Sequence, residues 1–122
     1  MPSRTQHKLR LIFSTASSED QAASIASALV SEQLAACVNI VGPIRSIYRW
    51  LEGIEDDREF LLLIKTRASL YLKVENRIRE LHNYEVAEVI SANIDLGSPP
   101  YVKWIIESTT PRRTPKSVKR RK

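Results

Sequence analysis

The chain has 122 residues and a mass of 13.9 kDa, with 43% apolar and 27% charged residues, enough for one domain with a modest core. Its formal charge of +5 is uneven: residues 111–122, PRRTPKSVKRRK, hold seven of the nineteen Lys and Arg and no acid, leaving twelve bases against fourteen acids, a net of −2. That body offers no basic surface for specific nucleic-acid binding, and its longest uninterrupted apolar run, residues 60–64, is far too short to span a bilayer.

Residues 1–7 read as a flexible N-terminus, 8–110 as a single domain, and 111–122 as a disordered basic tail, Pro-interrupted and poor in apolar residues. Near the start, Arg4, Lys8 and Arg10 accompany only three consecutive apolar residues, 11–13, too few for a signal peptide. Cys37 is the single cysteine, so no intrachain disulfide or cysteine-rich zinc site forms, and a cytoplasmic protein is expected.

In chain order, residues 8–15 alternate as a first strand. A helix follows within 17–35: hydroxyls and acids open it, and Ala22, Ile25, Leu29 and Leu34 share a face. Residues 37–50 are rich in β-formers but interrupted by Gly42-Pro43, which implies an edge, a bulge or a bend. Residues 51–57 read as a turn pivoting on Gly53, and residues 58–66 as the returning strand of a hairpin. A second helix over 69–81 buries Leu70, Val74, Ile78 and Leu81. Residues 86–94 form a fourth strand, and 101–109 a short closing helix. The order β-α-β-β-α-β plus a C-terminal helix predicts an α+β fold, the ferredoxin-like split βαβ sandwich.

Two features predict a homo-oligomer. The third strand is apolar on both faces, with Phe60, Leu62 and Ile64 on one and Leu61 and Leu63 on the other, whereas two helices cover only one face of a sheet. Residues 37–50 would also extend roughly 45 Å at ~3.3 Å per residue, about twice the first strand, leaving edges free to pair with another chain.

His82, Glu85 and Glu88 carry groups that a metal ion uses. His82 lies one residue past the last apolar position of the second helix, where an imidazole also serves the last helix carbonyls. Glu85 and Glu88 are three apart and on a strand face opposite sides, so at most one joins His82. Lys65 ends an apolar strand, and an ion pair with Glu88 or Glu59 is expected to satisfy it. Tyr48, Trp50, Tyr84, Tyr101 and Trp104 read as interface packing, and Cys37 as a buried, inert thiol. Without a Gly-rich phosphate loop, a paired-histidine metal motif or a local Ser/His/Asp set, no enzymatic activity is expected.

The stretches LAACVN, SIYRW, the acidic turn before LLLIKT, HNYEV and YVKWI together resemble the CutA divalent-cation tolerance family over residues 15–105. The resemblance implies a ferredoxin-like subunit in a tight homotrimer similar in architecture to PII signalling proteins, with a role in copper tolerance and binding of copper(II) or similar divalent metal ions. The candidate metal ligands on this chain are His82 and Glu88, and the candidates for an inter-subunit cleft are Trp50, Glu59, Lys65, Tyr84, Tyr101 and Trp104. The alternative is a PII-like trimeric small-molecule sensor whose ligand lies in that cleft. The chain departs from the family pattern at Asn83 and Ala87, where proline is common, and at Ser14, where some members carry cysteine; the last change removes a soft copper ligand.

Overall fold

A computed structural model describes residues 2–111. Its elements are β1 (Ser3–Arg4), β2 (Leu9–Ala16), α1 (Glu19–Ser31), β3 (Cys37–Trp50), β4 (Gly53–Arg67), α2 (Tyr71–Leu81, entered by a 3-10 turn at Ala68–Leu70), β5 (Ile90–Asn93), β6 (Leu96–Gly97) and α3 (Pro99–Ser108). Local chemistry sets the helix ends. Ser18 is extended and its side chain accepts the Gln21 N–H, while Glu19 and Asp20 place negative charge at the positive end of α1. That helix ends at Ser31, earlier than the sequence suggests, because Gln33 turns left-handed at φ 60°; Leu34 packs on the core from the turn instead. Pro99 and Pro100 open α3 two residues before the expected start, since proline fits a first turn whose N–H groups have no helical partner.

The main sheet runs β3-β4-β2-β5 with every neighbour antiparallel, the strand order of the ferredoxin-like fold. The sandwich core lies between one sheet face and the two long helices: Ile12, Leu62 and Ile64 meet Ile25, Leu29, Val74 and Ile78, all fully buried. A second cluster of Leu9, Ala36, Val102 and Ile105 fastens α3 to the sheet. On the opposite sheet face, Phe13 stands between Leu63 and Ile90, and Leu61 beside Val41; none of these five is buried, and Ile90 is 58% exposed. The second apolar face expected of the third strand therefore exists and is left open by this chain's own helices.

The hairpin outruns the sheet. β2 pairs with β4 only from Phe60 to Arg67, so Gly53 to Glu59 pair with β3 alone, as a two-stranded ribbon carrying exposed Ile47, Trp50, Leu51 and Ile54. A bulge between Val41 and Ile44 marks its root. There Gly42 lies against the Phe60 ring so closely that a Cβ would meet it at 2.4 Å.

Several expectations are corrected. The turn is two residues, Leu51 and Glu52, and Gly53 already pairs with Trp50; Leu51, at φ 55° and 83% exposed, holds the left-handed position. The fourth strand is only Ile90–Asn93, because 86–89 run outside the ladder. Residues 1–7 were expected to be flexible, yet Ser3 and Arg4 pair with Gly97 and Leu96, and Thr5 is buried with its hydroxyl donating to the Ile94 carbonyl. The expectation for the basic tail falls, beyond Pro111, outside the described residues.

Candidate functional site: a carboxylate-lined cleft under the hairpin ribbon

Where α2 stops, the chain turns beneath the ribbon. β5 pairs with β2 no further than Phe13 opposite Ile90, so the β2 edge beyond it needs another partner. His82 supplies it. The backbone N–H of Tyr84 donates to Nδ1 at 3.0 Å, which places the ring proton on Nε2, and Nε2–H donates to the Thr15 carbonyl at 2.6 Å. The imidazole also lies 4.5 Å, centroid to centroid, from the Tyr84 ring. Both ring nitrogens are thus engaged in holding the connection to the sheet edge. Gln21 helps, its side-chain oxygen accepting the Asn83 N–H and its amide donating to the Leu81 carbonyl.

This turn and the ribbon enclose a cleft of about 850 Å³, lined by Thr15, Arg45, Ser46, Ile47, Tyr48, Trp50 and Glu59 on one side and by residues 83–86 and Glu88 on the other. Glu59 is only 7% exposed, and the Tyr84 hydroxyl donates to its carboxylate at 2.8 Å. The Tyr48 hydroxyl donates to Asp57 at 2.5 Å, and that bond is the main reason its pKa is pushed up to about 12. Burial, then the bond to Glu59, raises the Tyr84 phenol as well. The Glu88 carboxyl is raised chiefly by desolvation and next by the charge of Glu59. Arg45 at the rim is committed to Asp56 through two hydrogen bonds of 2.9 and 2.7 Å. Among the described residues, the five ion pairs include none of Glu59, Glu85 and Glu88.

The fold brings Trp50, Glu59, Tyr84 and Glu88 together and sets His82 directly behind them. It does not bring in Lys65, Tyr101 or Trp104. Lys65 is six residues from Glu59 along β4, about 20 Å at ~3.3 Å per residue, and its ammonium stands 5.7 Å over the Tyr101 ring rather than pairing with Glu59 or Glu88. Tyr101 and Trp104 pack on each other with the α3 cluster. Glu85, expected to face away from Glu88, lines the same cleft, because strand alternation does not govern 85–88. Cys37 is half-buried, with its thiol 3.8 Å from the Asn39 side-chain oxygen. The Tyr48–Asp57 pair escapes the sequence reading because residues 51–57 look like one long turn. A two-residue turn would have placed Tyr48 opposite Glu55 and diagonal to Asp57.

As to a metal, no group of three or more His, Cys, Asp and Glu side chains among the described residues is placed to hold one. Glu59, Glu85 and Glu88 are oxygen donors suited to a divalent cation, whereas His82 coordinates only by giving up one of its two hydrogen bonds. No helix of the described residues is long and apolar enough to cross a membrane.

Comparison with known proteins places this arrangement. A family model described as CutA1 divalent ion tolerance protein matches residues 10–108. The "Divalent-cation tolerance protein CutA" of Thermus thermophilus is 43% identical over 99 residues, spanning 81% of this chain and 96% of its own length. "Protein CutA" of Mus musculus is 45% identical over 97 residues, 80% of this chain but 55% of the mouse protein. The crystal structure of CutA1 from Oryza sativa superposes with a TM-score of 0.83 at 36% identity, covering 86% of this chain and 96% of that one. The chain belongs to the CutA1 divalent ion tolerance family.

Proposed function

We propose that this chain acts in divalent-cation tolerance as a non-enzymatic homotrimer that binds copper(II) or a similar divalent cation. The observation that carries the cation is the carboxylate set Glu59, Glu85 and Glu88 without an ion pair among the described residues. Glu88 is the first ligand, and His82 joins by releasing the Thr15 carbonyl; with no three-ligand cluster, binding is weak. Assembly is supported by the free ribbon and the open apolar sheet face, each needing a cover that one copy does not supply. The lone unpaired Cys37 suits a reducing compartment and supports a cytoplasmic location. Sedimentation equilibrium is expected to give about three times 13.9 kDa, and Leu63→Asp to abolish the assembly. In calorimetric titration with Cu²⁺, Glu88→Gln is expected to weaken binding; a monomer, or unchanged affinity in both Glu88→Gln and His82→Ala, would sink the corresponding half of the proposal.

The cleft itself favours a second reading, a PII-like sensor of small molecules. Its volume of about 850 Å³ and its walls of Trp50, Tyr48 and Tyr84 far exceed what a bare ion needs.

A further inference from the structure

We infer that the cleft between the hairpin ribbon and residues 83–88 takes a small organic cation, an ammonium group on a carbon body, with the charge at Glu59 and Glu88 and the carbon against Trp50 and Tyr48. The inference rests on the sensor reading and adds the chemistry of the ligand.

Charge narrows the class first. Glu59 is more than nine-tenths buried and lines the cleft, and among the described residues its side chain has one neutral hydrogen-bond donor, Tyr84, and no ion pair. A carboxylate so buried without a counter-ion is costly, and Glu88, a second carboxylate on the same cleft, feels its charge. Among the described residues, the one cationic side chain lining the cleft, Arg45, is already bonded twice to Asp56. An anionic ligand such as a nucleotide would add like charge to this space and be repelled.

Size and wall chemistry narrow it further. The carboxylates do not gather into a three-ligand metal group, so a bare ion would be incompletely coordinated, while about 850 Å³ admits a molecule of many atoms. Trp50, Tyr48, Tyr84, Ile47 and Val86 offer π faces and aliphatic surface beside the carboxylates. An aromatic face attracts an ammonium group, and the hydrophobic effect favours its carbon chain. Carboxylate, aromatic ring and apolar wall together suit an alkylammonium better than either a metal ion or an anion.

The test uses the full chain and four probes of similar size: butylammonium, tetramethylammonium, butanol and butyrate, followed by calorimetry and by tryptophan fluorescence at constant ionic strength. The two cations are expected to bind saturably, at least tenfold tighter than butanol or butyrate. Glu88→Gln and Trp50→Leu should each weaken the cations threefold or more. Glu59→Gln, which keeps the acceptor for Tyr84, does the same by removing charge alone, and covers the case in which Trp50→Leu fails to assemble. Leu72→Ala, exposed on α2 and outside the cleft lining, leaves affinity unchanged. Equal or tighter binding of butyrate or butanol, with loss in Trp50→Leu, overturns the ligand class while leaving a small-molecule cleft. Cation binding untouched by Glu88→Gln and Glu59→Gln places it elsewhere and overturns the inference. Absence of saturable binding by all four probes overturns both the inference and the sensor reading.

Discussion

Replacing His82 by alanine removes two hydrogen bonds and a ring contact at once. The bond from Nε2–H to the Thr15 carbonyl and the bond from the Tyr84 N–H to Nδ1 contribute about 1 kcal/mol each as neutral pairs. Thr15 is only 6% exposed, so its carbonyl is left dry, and a stranded buried acceptor costs about 1–3 kcal/mol instead of the smaller figure. The ring contact at 4.5 Å adds roughly 0.5 kcal/mol. The expected loss is therefore about 2.5–4.5 kcal/mol, well above the ~0.5–1 kcal/mol of an imidazole that merely sits near helix carbonyls. Urea unfolding is the assay, run at one fixed protein concentration because assembly shifts the midpoint by mass action. His82→Gln, which can still donate toward Thr15, should recover part of the loss, and exposed Asn83→Ala should change stability little, its backbone N–H still bonded to Gln21. A loss below about 0.5 kcal/mol for His82→Ala would refute the bond assignment, since no combination of these magnitudes is that small.

Two further substitutions read the interior. Ser14 is fully buried and its hydroxyl has no partner, so Ser14→Ala is expected to raise stability by about 1 kcal/mol in thermal melts; a loss of similar size would show that the hydroxyl is bonded after all. Gly42→Ala forces a methyl to 2.4 Å from the Phe60 ring at the root of the ribbon and should destabilise by about 1–3 kcal/mol, and an unchanged melting temperature would contradict that packing.

The architecture was legible because its signals are local. The run of β-branched and aromatic residues from Cys37 to Trp50 gives the strand its observed ends, and the 3.6-residue spacing of Val74 and Ile78 gives α2 its buried side. Failures came where tertiary contacts override a pattern. Val86 and Val89 are strand-formers, yet His82 holds the preceding turn to β2 and carries this stretch past the ladder, which puts Glu85 and Glu88 on one wall. Leu51 gives no sign of a left-handed turn, since the residue types that tolerate φ > 0 are Gly and Asn, and Gly53 stood two positions away as a decoy. The Lys65 pairing failed on distance alone: two residues on one face of a strand still lie apart by their separation along it. Of the cleft, the residue types were visible and the grouping was not, because grouping depends on hairpin register.

The shortness of β5 has a consequence for how the cleft breathes. Its ladder with β2 spans four residue pairs, against eight between β2 and β4. Opening a protein segment by segment begins where the fewest contacts must be surrendered, so within the four-stranded sheet the edge formed by residues 82–93 is the unit that detaches at the lowest free energy while the central strands stay closed. One wall of the cleft leads directly into that unit, and the other stands on the ribbon of the long hairpin. An occupant bridging the two would tie the most readily released part of the sheet to the hairpin, and its presence would be written in slower amide exchange along Ile90–Asn93.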